Sequence, residues 1–163
     1  MNVRVRISSD VIRKIFDECE RFSTMETGGA LIGTYRGSPR TGLFINCDGV
    51  IDAGPYARRT RTSFFKDGEY QERMFREIEN ERPEIEHLGN WHTHHVNGYP
   101  TLSPGDCATY HKNVNSLNHN TDFFYAFLVI EKLGFKRYKT KHFIVYRGNP
   151  SEYEIPATQV VIR

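Results

Sequence analysis

Gly89-Asn90-Trp91-His92-Thr93-His94, followed after a short loop by Leu102-Ser103-Pro104-Gly105-Asp106, gathers two histidines and a carboxylate within a short span of this sequence. The segment His87 to Trp91 predicts a short strand. Residues two apart on a strand share a face, so His92 and His94 can hold one ion together while Thr93 points away. Ser103-Pro104-Gly105-Asp106 predicts a helix start, with Ser103 at the N-cap, Pro104 at the first helical position and Asp106 one turn in. That turn places Asp106 beside the histidine pair. Two imidazoles and a carboxylate make three protein ligands, the number typical of a catalytic zinc site that keeps its fourth position for water. The reading is one zinc per chain in a mononuclear hydrolase. Nitrogen and oxygen donors also accept iron and other divalent ions, so zinc is the best single assignment rather than a forced one.

A second motif, Glu26-Thr27-Gly28-Gly29-Ala30-Leu31-Ile32-Gly33, sets a carboxylate directly before a small-residue, apolar strand. Each piece has a plain structural reading. Glu26 alone is an exposed carboxylate at a helix-to-strand junction, since glutamate is rarely buried. Ser103 to Asp106 alone is a capped helix start, and the histidine pair alone is a surface loop. The three pieces occurring together and in order shift the reading from structure to chemistry.

In that combination the chain resembles the JAMM-motif metalloproteases of the JAB1/MPN/Mov34 family, of the prokaryotic JAB type. The residues that carry the resemblance are Glu26, Gly29, Leu31 and Gly33, then His92-Thr93-His94, then Ser103 and Asp106. It extends from the first helix to the strand around Phe123 to Ile130. The resemblance implies that His92, His94 and Asp106 are the zinc ligands. It implies that Glu26 activates water and then protonates the leaving amine, and that Ser103 stabilises the tetrahedral oxyanion. It further implies a peptidase or isopeptidase that cuts after the tail of a ubiquitin-like or sulfur-carrier protein, on a three-layer, cytidine-deaminase-like α/β fold. One departure stands out. The family usually carries proline after the second histidine, whereas this chain has His95, which can alter the following loop or offer the metal a competing ligand. His94 remains the preferred ligand because only the i, i+2 partner shares the strand face with His92.

Length and composition fit a catalytic domain, with one domain expected over residues 1–163. A formal net charge of +2 gives no ground for nucleic-acid or anionic-membrane binding. No apolar run is long enough to span a bilayer, and the first residues alternate rather than form a signal-peptide core. Cys19, Cys47 and Cys107 are odd in number and widely spaced, which argues against a disulfide framework and fits a reducing cytoplasm. Cys107 adjoins Asp106, but neighbouring helical positions face about 100° apart, so it reads as a small buried residue.

Along the chain, Val3, Val5 and Ile7 predict a first strand, and Val11, Ile12, Ile15, Phe16, Cys19 and Phe22 form the apolar stripe of a helix. Gly28 to Tyr35 and Leu43 to Ile51 predict two strands. Asp67 to Asn80 predicts a second helix with Tyr70, Met74, Phe75 and Ile78 inward, and a third runs from Ser103 to about Val114. Phe123 to Ile130 is the most apolar strand and is expected at the centre of the sheet, with further strands at Lys141 to Tyr146 and Gln159 to Ile162. The fold class is a mixed β-sheet flanked by helices.

Arg58-Arg59-Thr60-Arg61 is the densest basic run, read as a solvated loop that can also grip an acidic patch. Tyr99-Pro100-Thr101 and the segment Asn115 to Thr121 are expected to flank the metal motif and to channel an extended tail. The alternative function, from a different class, is a non-catalytic MPN-type scaffold that binds partner proteins. The sequence leaves the oligomeric state open.

Overall fold

Patterning and caps together produce the elements of the computed structural model, which describes residues 2–163. In chain order they are β1 (Val3–Ile7), α1 (Ser9–Arg21), β2 (Gly28–Ser38), β3 (Gly42–Ile51), β4 (Arg58–Arg59), β5 (Phe64–Phe65), α2 (Gly68–Glu81), β6 (Glu86–Thr93), α3 (Pro104–Asn115), β7 (Phe123–Gly134), β8 (Arg137–Tyr146), β9 (Glu152–Ile155) and β10 (Val160–Ile162). The Ser8 hydroxyl caps α1 by accepting from the Val11 N–H, and the Asp67 carboxylate caps α2 by accepting from the Tyr70 N–H. No helix is long and apolar enough to cross a membrane among the described residues.

Eight strands form one mixed sheet in the order β10-β1-β3-β2-β6-β7-β8-β9. β1 runs parallel to β3 and β10, β6 runs parallel to β7, and the other pairs are antiparallel. Alternate residues of β7 enter two different cores. Phe123, Tyr125, Phe127 and Val129 join Val11, Ile15 and Cys19 of α1, whereas Phe124, Ala126, Leu128 and Ile130 join Tyr110 and Val114 of α3. Helix α2 packs Tyr70, Met74, Phe75 and Ile78 against Ala30, Ile32 and Ile51. Helix α1 therefore covers one face and α2 and α3 the other, a three-layer α/β architecture. Strand β7 is buried on both faces, as its unbroken apolar run demands. It is interior rather than central, because β10, β1, β3 and β2 all lie on the far side of β6.

The feature that positions the site is a bulge in β6. Leu31 pairs with Gly89 but the next residue, Ile32, pairs with His87, so Leu88 is an extra residue. Leu88 and Trp91 are three apart, yet both enter the core beneath α1. An unbroken strand would send them to opposite faces. The shift turns His92 toward α3. Gly89 makes it possible: its φ is 154°, and a Cβ there would stand 1.8 Å from the Tyr125 carbonyl oxygen.

Candidate metal centre

Strand β6 carries His92 at its carboxyl end, and His94 follows directly, held in line by its N–H bond to the Val129 carbonyl at 2.7 Å. The chain then turns, and Ser103 starts α3. The Ser103 hydroxyl accepts from the Asp106 N–H at 3.0 Å while the Asp106 carboxylate accepts from the Ser103 N–H at 2.8 Å, a reciprocal capping box. The same Oδ2 of Asp106 lies 3.1 Å from His92 Nε2 and 3.2 Å from His94 Nε2. The two Nε2 atoms are 3.1 Å apart.

These three atoms test the fit of a metal ion directly. Tetrahedral ligands at bonds of about 2.0 to 2.1 Å stand roughly 3.3 Å from one another, close to the three separations found. Neighbouring groups orient both rings for that task. His94 Nδ1 donates to the Tyr99 carbonyl at 3.1 Å, which leaves Nε2 with its lone pair free. The Tyr110 hydroxyl, 2.8 Å from His92 Nδ1, completes the same arrangement for the other ring once Nε2 is a ligand. Tyr110 and the Tyr99 carbonyl were not legible in the sequence. The spacing of Tyr110 one helical turn beyond Asp106 was the one available signal.

The carboxylate of Asp106 would have its pKa raised by burial, but hydrogen bonds from His92 and His94 outweigh that and hold it well below the usual carboxylate range. Burial likewise works against a charged His94, and its partner Asp106 overrides it so that the net shift is upward. Glu26 lines the same cleft, of about 280 Å³, with Thr62, His94, Asn97, Tyr99, Ser103, Pro104 and Asp106. It is 9% exposed, not the solvated carboxylate that its residue type suggests. Burial pushes its pKa up, partly offset by His94.

Glu26 is held by a network around Thr27. The Thr27 N–H donates to the Thr93 hydroxyl and the Thr93 N–H to the Thr27 carbonyl, each at 3.0 Å, which ties β2's entrance to the metal strand. Gly28 permits that approach, since a Cβ there would lie 2.4 Å from the Trp91 carbonyl oxygen. The Glu26 N–H donates to the Thr60 carbonyl at 2.8 Å.

Four expectations need correction. The basic run is not simply a solvated loop. Arg58 and Arg59 form β4 against β5, and the Arg59 guanidinium lies 3.8 Å above the Phe22 ring with its Nε donating to the Thr27 hydroxyl at 3.0 Å. His95 is not brought into the cluster of His92, His94 and Asp106, and its Nε2 donates instead to the Phe22 carbonyl at 2.9 Å. Cys107 is half-buried, and its thiol is pushed up to about 11 by burial and by a hydrogen bond to Glu152. The segment 115–121 follows the carboxyl end of α3 and lines a different cavity, whereas Tyr99 does border the metal cleft.

The family model described as JAB1/Mov34/MPN/PAD-1 ubiquitin protease matches residues 1–120. The solution structure of a protein from Desulfitobacterium hafniense is similar over 98% of this chain and 92% of that one, with a TM-score of 0.66 and 12% identity. That likeness is one of fold. No curated protein matches the chain by sequence.

Proposed function

The chain belongs to the JAB1/Mov34/MPN/PAD-1 ubiquitin protease family, and from that premise we propose that it is a zinc-dependent peptidase or isopeptidase. Its substrate on this reading is the amide bond that follows the carboxyl tail of a ubiquitin-like or sulfur-carrier protein. The observation that carries the proposal is the convergence of His92 Nε2, His94 Nε2 and Asp106 Oδ2 beside a buried Glu26. Zinc held by these three residues supplies Lewis acidity, which brings the pKa of water toward neutrality and polarises a carbonyl.

The chain's own groups do the rest. Glu26, ionised, takes a proton from the attacking water as the C–O bond forms. It returns that proton to the amine nitrogen as the C–N bond breaks. Ser103 Oγ already accepts from the Asp106 N–H, so its own proton remains available to the oxyanion. Thr62, Asn97 and Tyr99 border the cleft along which an extended tail would lie.

The test joins metal content to turnover. Wild-type protein is expected to hold one zinc per chain by elemental mass spectrometry, and His94→Ala to lose it. Glu26→Gln is expected to keep the zinc and lose about 10² to 10⁴ in rate on a ubiquitin-like protein extended through its tail by an amide bond. Zinc-loaded wild type that leaves such amides intact would make the protein a metal-bearing scaffold. Full activity in Glu26→Gln would remove Glu26 from the mechanism.

A further inference from the structure

The widest cavity among those described is not at the metal cleft. It measures about 620 Å³ and opens at the amino end of β6, between α2 and the segment leading into β7. Its volume falls within the range of small-molecule sites. Ala30, Ile51 and Phe75 give it an apolar floor, and Lys66, His87 and His119 bring nitrogen groups to its wall.

The wall's charges are unequally satisfied. Glu79 pairs with Arg76 at 2.9 Å and Glu72 lies 3.9 Å from the same guanidinium. Glu86 accepts both Nδ2–H bonds of Asn120, each at 2.9 Å. His119 Nε2 bonds the Phe123 carbonyl at 2.7 Å. Among the described residues, no group pairs with the Lys66 ammonium or with either ring nitrogen of His87. The His87 ring is held by packing alone, edge-on to His119 at 5.9 Å and tilted against Phe124 at 6.0 Å. Desolvation lowers the pKa of both groups, that of His87 to about 3 with Lys66 and His119 adding to the effect. His87 is thus a neutral imidazole with an N–H to donate.

Every carboxylate in the wall has a partner, and the ammonium and the imidazole beside it have none. Lys66 is exposed and His87 half-buried, so both are open to a ligand that enters the cavity, and the head group complementary to them is negative. We propose that this cavity is a second binding site, for a small ligand that places an oxyanionic head group on Lys66 and His87 and an apolar body against Ala30, Ile51 and Phe75. The site is separate from the metal centre and does not depend on catalysis there.

Histidine ring signals of isotope-labelled full-length protein, followed by NMR during titration with inorganic phosphate and separately with benzoate, test it. At least one probe is expected to shift the His87 and His119 signals saturably, with a Kd of a few millimolar or lower. The His87 pKa should rise with occupancy. Lys66→Gln should weaken binding about tenfold at unchanged Tm, the loss expected for one charge-assisted hydrogen bond. His87→Gln, read through His119, gives the same loss, and Lys112→Gln on the outside of α3 gives none. Binding of phosphate alone identifies a phosphate head group, and binding of benzoate alone a carboxylate on an apolar body. The proposal is overturned if neither probe gives a saturable shift, if shifts are confined to His92 and His94, or if Lys66→Gln binds as well as wild type.

Discussion

Strand β6 carries a histidine site at each end, and the two ends treat the same side chain in opposite ways. At the carboxyl end, His94 faces the Asp106 carboxylate and its pKa is raised despite burial. At the amino end, burial lowers the His87 pKa to about 3, and Lys66 and the His119 imidazole add to the effect where a carboxylate would oppose it. The carboxyl end is narrow, and each histidine there has partners on both ring nitrogens. The amino end is wide, and its histidine has none. What an imidazole does is set by what the fold places opposite it. Both ends also share one face of the sheet, although His87 and His92 are five positions apart and strict alternation would divide them. The Leu88 bulge is what brings them to the same side.

Removing the bulge is expected to have the largest effect on both ends. Gly89→Val forces a β-branched residue into a positive φ and into the Tyr125 carbonyl, and is expected to cost about 3 kcal/mol or more and to disorder both ends together. An unchanged denaturation midpoint would refute the role assigned to the bulge. Acid separates the ends next. His87 at about 3 and His142 at about 4 are both held below the unfolded value near 6.5, so the unfolded chain takes up protons first. Stability is therefore full above pH 6.5 and declines as pH falls toward 4, by at most about 1.4 kcal/mol per pH unit for each group. His87→Leu should flatten that decline in a pH series of urea melts. A decline of the same slope in that variant would place the acid sensitivity elsewhere.

Tyr110→Phe addresses the carboxyl end alone. It leaves His92 Nδ1 without its partner and should weaken zinc about 10- to 100-fold in a competition titration with a chelator, with the His87 end unaffected. His95→Phe touches neither end. Loss of its bond to the Phe22 carbonyl is expected to cost about 1 kcal/mol in thermal melts while zinc content stays at wild type. A large loss of zinc in that variant would show that the histidine takes part in the metal site after all.

Much of the layout was legible because it depends on short-range patterns. The stripe of α1, the Ser103 cap and the i, i+2 spacing of His92 and His94 each arise within a few residues, and each is found where the pattern puts it. Strand β6 is longer than its apolar core suggested, reaching Thr93 because parallel pairing with β7 carries it through Val129. The misses depend on partners distant in sequence. Arg59 stacks on Phe22 from the other side of two strands, β9 is defined by its pairing to β8, and the backbone of the buried Glu26 is tied to Thr60, which lies between β4 and β5. The bulge at Leu88 is the most instructive miss. Gly89 is an ordinary glycine in the sequence, and the need for it appears only when Leu31 and Tyr125 arrive on either side.

One oxygen atom, Oδ2 of Asp106, is at once the lock of a helix and a corner of the candidate metal site. The usual knock-out at such a position is thus two experiments performed together. Replacing Asp106 by alanine deletes the ligand and also frees the first turn of α3 to fray, so a lost activity cannot be credited to the metal alone. Replacing it by asparagine keeps an oxygen for the Ser103 N–H while discarding the charge. Read as hydrogen exchange at the start of α3, the difference between those two proteins isolates the cap, and the difference between the asparagine variant and the zinc-loaded wild type isolates how far the ion itself serves as the helix's last fastening.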